Sequence, residues 1–248
     1  MNFKKKLAQK QPLIGTLQEL PAAEVTEILA LAGLDWLFVD MEHSAIDVSC
    51  MQHILQAGQK MCPCIVRSPS HDEVWLKKIL DAGADGIIIP LVNSAEKAKE
   101  IIRFCKYPPA GSRSIGIARA QDYGMNFQKY VAEANEKVAV ILQIEHIDAV
   151  RNIDAIVKVP GIDAIFIGPY DLSGSMGMTG QVNSPEVQQQ IETVRKACID
   201  AGLPMGIFTA DPAEVKSLLE KGYSLIAVGI DAMILGKAAQ EALKISKS

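Results

Sequence analysis

Val138-Ala139-Val140-Ile141-Leu142-Gln143-Ile144-Glu145 and Ala164-Ile165-Phe166-Ile167-Gly168-Pro169-Tyr170-Asp171 are short apolar runs, rich in β-branched residues, that each end on an acid. Near-continuous runs of this length read as strands buried on both faces. Six more share the pattern: Leu13–Leu17, Trp36–Asp40, Pro63–Arg67, Gly86–Leu91, Pro204–Thr209 and Leu225–Gly229. Between most of them lie stretches with helical spacing: Ala22–Ala32, Val48–Gln59, Asp72–Ala82, Ala95–Cys105, Ile147–Val157, Pro185–Ala201, Pro212–Lys221 and Ala232–Ile245. Helices that stop at Gly33, Gly83, Gly202 and Gly222 carry the usual left-handed cap. Ser70-His71-Asp72-Glu73 and Ser94-Ala95-Glu96-Lys97 carry helix-start signals. Strands alternating with helices imply a parallel sheet covered on both faces, and eight such units predict a (β/α)₈ TIM barrel spanning 1–248 as one domain. An open doubly wound sheet is the second choice. It lacks the G-x-G-x-x-G turn after its first strand.

Composition limits the function. Of 248 residues, 49% are hydrophobic, enough to fill a barrel-sized core, and the net charge of −4 offers no basic face to nucleic acid or anionic lipid. Lys4-Lys5-Lys6 reads as a solvated leading segment. No stretch has the length of a membrane span or the form of a signal peptide, so the expected location is cytoplasmic. The five cysteines, Cys50, Cys62, Cys64, Cys105 and Cys198, form no C-x-x-C pair, and their odd number speaks against a disulfide framework. They read as buried thiols. The stretch from Tyr107 to about Val131 is a long connection that reads as a functional loop on the catalytic face.

Catalytic groups of such barrels sit at the C-terminal strand ends. There the sequence places Asp40, Glu42 and His43 after the second strand, Arg67 after the third, Gln143 and Glu145 after the fifth, and Asp171 after the sixth. Packing alone does not require so many polar groups. Glu145 and Asp171 suit a hard divalent cation, Mg²⁺ or Mn²⁺ first and Co²⁺ or Zn²⁺ second, with water and substrate oxygens completing the shell. His43 offers an imidazole that can act as a base. Arg67 offers a donor fork to a carboxylate or oxyanion, or closes the mouth as a salt bridge. His53 and His71 read as structural. No lysine lies in a strand, which excludes a strand-borne Schiff base. The turns after strands seven and eight are acidic rather than glycine-rich, which disfavours a phosphorylated substrate.

Val39-Asp40-Met41-Glu42-His43, Val66-Arg67, Gln143-Ile144-Glu145, Phe166-Ile167-Gly168-Pro169-Tyr170-Asp171-Leu172-Ser173, Tyr107–Arg113 and Ala227–Asp231 together resemble the HpcH/HpaI aldolases, class II pyruvate aldolases. The resemblance implies that Glu145 and Asp171 hold the metal, that pyruvate chelates it, and that Gln143 lines the site. The backbone from Gly168 through Pro169 and Tyr170 to Asp171 receives the carboxylate. Arg67 stabilises the enolate oxygen, and His43, oriented by Asp40, handles a water and the proton. Asp81 comes from a neighbouring subunit to pair with the histidine. The resemblance also implies a hexamer, a trimer of dimers, that exchanges its last helix, here Ala232–Ile245. Ile117–Gly124 would shape the aldehyde pocket. Ser114 departs from the glycine common in the family. The expected reaction is reversible cleavage of a 4-hydroxy-2-oxo acid to pyruvate and an aldehyde. An acyl-CoA lyase or a non-catalytic dicarboxylate-binding barrel are the alternatives.

Overall fold

Alternation along the strands decides which side chains fill the barrel. The computed structural model describes residues 2–59 and 61–247. Its strands are β1 (Leu13–Gln18), β2 (Trp36–Asp40), β3 (Cys64–Arg67), β4 (Gly86–Ile89), β5 (Ala139–Ile144), β6 (Ala164–Ile167), β7 (Met205–Thr209) and β8 (Leu225–Ile230). Each pairs in parallel with the next, and β8 closes on β1. The helices are α1 (Phe3–Ala8), α2 (Ala23–Leu31), α3 (Val48–Gly58), α4 (Glu73–Asp81), α5 (Ala95–Cys105), α6 (Phe127–Lys137), α7 (Ile147–Arg151), α8 (Ile153–Ile156), α9 (Pro169–Ser175), α10 (Pro185–Asp200), α11 (Val215–Glu220) and α12 (Asp231–Lys247).

Successive strand residues face opposite ways. Leu13 and Leu17, Trp36 and Phe38, Ile65, Ile88, Ala139 and Ile141, and Ala164 and Phe166 form the inner core. Residues of the other parity, such as Leu37, Val39, Val66, Val140 and Ile165, pack outward against the helices. Gly15 leaves room for the Trp36 indole: a Cβ there would lie 2.7 Å from the ring. Continuing the inward parity past the last apolar residue puts Glu19, Asp40, Arg67, Gln143 and Gly168 at the C-terminal mouth.

The opposite end is tied by a repeated Gly-x-Asp element. Gly33, Gly83 and Gly161 take φ near +90°, +89° and +95°, where a side chain is strained. Two residues on, Asp35, Asp85 and Asp163 accept hydrogen bonds from the backbone of the preceding strand: Ile14 N at 2.9 Å, Cys64 N at 3.1 Å and Val140 N at 2.8 Å.

Several expectations need correction. The lysine-rich leader is not simply solvated. It forms α1, whose Phe3 and Leu7 plug the N-terminal end of the barrel against Trp36 (ring centroids 6.2 Å apart), and Lys4 lies 3.1 Å from Asp163. The segment from Tyr107 is not a catalytic-face loop. It follows α5, so it runs along the N-terminal face, and it contains a 3₁₀ turn at Arg119–Gly124 and then α6. Arg119 holds it there through the carbonyls of Ala82 at 2.6 Å and Leu55 at 3.2 Å, at the ends of α4 and α3. The helix expected at Ile147–Val157 breaks at Asn152, whose amide reaches the carbonyl of Asn93 at 2.8 Å. All five cysteines are free thiols; four are buried and Cys50 is half-buried. Among the described residues no helix is long and apolar enough to cross a membrane.

Candidate active site

Asp40 and Arg67 are register partners on β2 and β3 and share the inward parity. Arg67 donates to both oxygens of Asp40, Nε to Oδ1 at 2.8 Å and Nη2 to Oδ2 at 2.6 Å. Its Nε also lies 3.3 Å from Glu42 Oε2, and its guanidinium covers the Phe38 ring at 5.2 Å. Nη1 has no partner among the described residues.

This pairing corrects one expected link. Asp40 makes no hydrogen bond or ion pair with His43 here: Arg67 binds both its oxygens, and Oδ1 also accepts the Glu42 N–H at 3.0 Å. The His43 side chain is 61% exposed, and the nearest acid is Glu42, 3.7 Å from its Nε2. Burial raises the Glu42 carboxyl, with Arg67 and His43 pulling against the rise.

Across the mouth, Glu145 is buried just past β5. Its Oε1 accepts the Leu91 N–H at 2.7 Å, and its Oε2 accepts from Gln143 Nε2. Leu91 reaches that position with φ +51°, a left-handed conformation that costs a non-glycine residue about 1–3 kcal/mol and collects at functional sites. Gly168 makes the approach of β5 and β6 feasible: a Cβ there would lie 2.7 Å from Glu145 Oε2 and 3.0 Å from Gln143 Nε2. Asp171 sits in the first turn of α9 and is exposed. Burial lifts the Glu145 carboxyl to about 7; the Leu91 amide and Arg67 oppose this, while Asp171 and Glu42 add to it.

His43, Arg67, Gln143, Gly168, Pro169, Tyr170 and Asp171 line one cavity of about 150 Å³. A larger cavity, about 440 Å³, lies between α10 and α11 outside the barrel and shares only Pro169, Tyr170 and Phe208 with it. It contains neither Arg67 nor Gln143, so the smaller one is the candidate active site. Among the described residues no cluster of three or more His, Cys, Asp or Glu side chains is arranged to hold a metal. Glu145 and Asp171, the two carboxylates expected to hold a cation, stand without a third such side chain. Gln143 Oε1 beside Glu145 is buried without a hydrogen-bond partner. An all-oxygen set with an unsatisfied buried oxygen fits a hard cation that keeps water and substrate ligands.

Asp81 is not brought to this mouth. It ends α4 at the far face, where Arg113 Nη2 binds it at 2.6 Å. Ile117–Gly124 lies at that same face. Glu19, by contrast, lines the cavity although the strand-end reading did not include it. Applying the same rule to the first strand would have found it.

The chain is similar to known proteins along nearly its whole length. The family model HpcH/HpaI aldolase/citrate lyase matches residues 18–238. The 2-dehydro-3,6-dideoxy-6-sulfogluconate aldolase of Pseudomonas putida is 42% identical over 233 residues, 93% of this chain and 91% of that protein. The 2-keto-3-deoxy-L-rhamnonate aldolase of Klebsiella pneumoniae is 36% identical over 99% of this chain and 93% of its own length. A crystal structure of a family member from Burkholderia cenocepacia superposes with TM-score 0.95 at 34% identity, covering 99% of this chain and 98% of that one. The chain belongs to the HpcH/HpaI aldolase/citrate lyase family and is a carbon–carbon lyase of the pyruvate aldolase class.

Proposed function

We propose that this chain is a divalent-metal-dependent aldolase that reversibly cleaves a 4-hydroxy-2-oxo acid into pyruvate and an aldehyde. The observation that carries the reading is the grouping of Arg67, His43, Gln143 and Asp171 around one cavity, with Glu145 beside Gln143. Glu145 and Asp171 would hold the cation, Mg²⁺ or Mn²⁺, which supplies Lewis-acid stabilisation of an enolate. Gln143 donates to Glu145 and fixes its carboxylate, leaving its own oxygen without a hydrogen-bond partner. The amides that open α9, at Tyr170 and Asp171, suit a substrate carboxylate. Arg67, held rigid by Asp40, offers Nη1 to the oxygen that gains charge. His43, open to solvent beside Glu42, moves the proton directly or through water.

Assembly belongs to the same proposal. Asp81 and Ile117–Gly124 lie at the N-terminal face, so they reach a mouth only from another copy. Met233, Ile234, Leu235, Leu243 and Ile245 of α12 are exposed, as an exchanged helix in a hexamer requires. The setting is a small-molecule reaction in the cytoplasm.

The test is exchange of the pyruvate methyl protons in D₂O, followed by NMR with Mg²⁺ or Mn²⁺ and again with a chelator. Exchange that depends on the metal supports the enolate. Equal exchange after chelation would remove the metal from the proposal.

A further inference from the structure

Glu19 stands on the wall of the mouth opposite Glu145. It directly follows β1, and β1 faces β5 across the closed ring of eight strands. An oxo acid whose keto and carboxylate oxygens sit at the ends of β5 and β6 points its other end toward β1 and its neighbours. Glu19, Leu17, Phe38 and Ile230 line that side of the cavity.

The Glu19 main chain is pinned. The carboxylate of Asp231 accepts the Glu19 N–H at 3.1 and 3.2 Å and the Leu20 N–H at 3.0 Å. The Glu19 side chain is half-buried, and among the described residues its carboxylate takes no hydrogen bond and no ion pair. Such a group is an acceptor waiting for a donor.

The surrounding charge is mixed. Burial first, then Asp40 and Asp231, disfavour the Glu19 anion, while Arg67 and His43 favour it. Arg67 is already committed to Asp40 and Glu42. Backbone amides that could otherwise greet an anion on this wall are given to Asp231, which also accepts the Ala232 N–H at 2.7 Å.

We propose that Glu19 sets aldehyde specificity: this wall accepts hydrogen-bond donors and rejects anions, so the aldehyde half of the substrate is uncharged and carries a hydroxyl group. The inference rests on the pyruvate aldolase reading above. A hydroxyl satisfies the carboxylate that the incoming substrate strips of water, whereas an alkyl chain leaves it unpaired. A second carboxylate or a phosphate meets like charge.

The experiment uses pyruvate, Mg²⁺ and, in turn, glyceraldehyde and succinic semialdehyde, with the wild type, Glu19→Gln and Glu19→Lys. The quantity read is the ratio of the two kcat/KM values within each preparation, so partial loss of active protein cancels. In the wild type, glyceraldehyde should lead by about tenfold or more. The ratio should fall in Glu19→Gln and fall again by roughly tenfold in Glu19→Lys, with the change carried by the aldehyde KM. A ratio unmoved in both variants, or a wild type that prefers the semialdehyde, overturns the assignment. Metal-dependent exchange of the pyruvate methyl in the wild type, measured without aldehyde, separates the levels. Exchange with an unmoved ratio overturns the role of Glu19 alone, and absent exchange overturns the pyruvate reading beneath it.

Discussion

Asp40 and Arg67 occupy paired positions on neighbouring strands and close a two-point ion pair in which Asp40 is fully buried and Arg67 is 8% exposed. Two consequences can be measured separately. Arg67→Lys keeps the charge but not the fork, so turnover should fall by roughly 10²-fold with the fold retained. Arg67→Met leaves a buried carboxylate with no counter-charge and should cost about 3–5 kcal/mol in urea unfolding. Near-normal turnover in Arg67→Lys would show that the free Nη1 does not meet the reacting oxygen.

The proposed metal role of Glu145 ties cation binding to pH. Its carboxyl is raised from 4.5 to about 7, chiefly by burial. In the folded chain the neutral form is favoured, so this contribution to stability is complete below about 4.5 and is lost as pH rises through about 7. A cation takes the carboxylate form, and proton and metal compete. Mn²⁺ affinity, followed by titration calorimetry, should therefore climb about tenfold per pH unit below ~7 and level off above it. Added metal should raise Tm more at pH 8 than at pH 5. Glu145→Gln or Asp171→Asn should abolish both the binding and its pH dependence.

Much of the barrel could be read from the sequence because β-branched runs, glycine stops and helix-start signals repeat through the chain. The mouth was legible because polar residues at the C-terminal strand ends must converge in a barrel: that rule named Asp40, Glu42, His43, Arg67, Gln143, Glu145 and Asp171, and His43, Arg67, Gln143 and Asp171 line the cavity. Partnerships were not legible. Asp40 binds Arg67 rather than His43 because of the β2–β3 register, and register is a relation between strands. The stretch from Tyr107 was assigned to the wrong face because it was counted from β4 and not from the end of α5. α1 was missed because three lysines hide the Phe3 and Leu7 stripe that seals the barrel. Glu19 escaped because the first strand was ended at Leu17, one residue short of the observed β1.

Gly168 is a steric prediction. Its φ of −102° is ordinary, so alanine is not strained at the backbone. The added methyl would instead press on Glu145 Cβ at 2.9 Å and Oε2 at 2.7 Å. Both side chains it meets, Glu145 and Gln143, belong to the proposed metal site. Gly168→Ala should weaken Mn²⁺ binding by roughly tenfold or more while lowering Tm by only a few degrees. Equal loss of stability and binding would mean that the residue serves packing instead.

The assembly can be tested without a structure of the oligomer. Asp81 is anchored by Arg113, which stacks over Tyr107 at 4.5 Å, so its carboxylate has a fixed direction on the face opposite its own mouth. If each catalytic site takes Asp81 from a neighbour, Glu145→Gln and Asp81→Asn place their defects on different subunits of one site. Each variant alone should be nearly inactive. Unfolded together and refolded as mixed oligomers, they should regain about a quarter of wild-type activity, because a quarter of randomly mixed sites receive an intact residue from both donors. A mixture no more active than its components would place Asp81 outside the active site. An Asp81→Asn protein that retains full turnover would do the same, and would leave the Arg113 pair as a purely structural tie between α4 and the segment that follows α5.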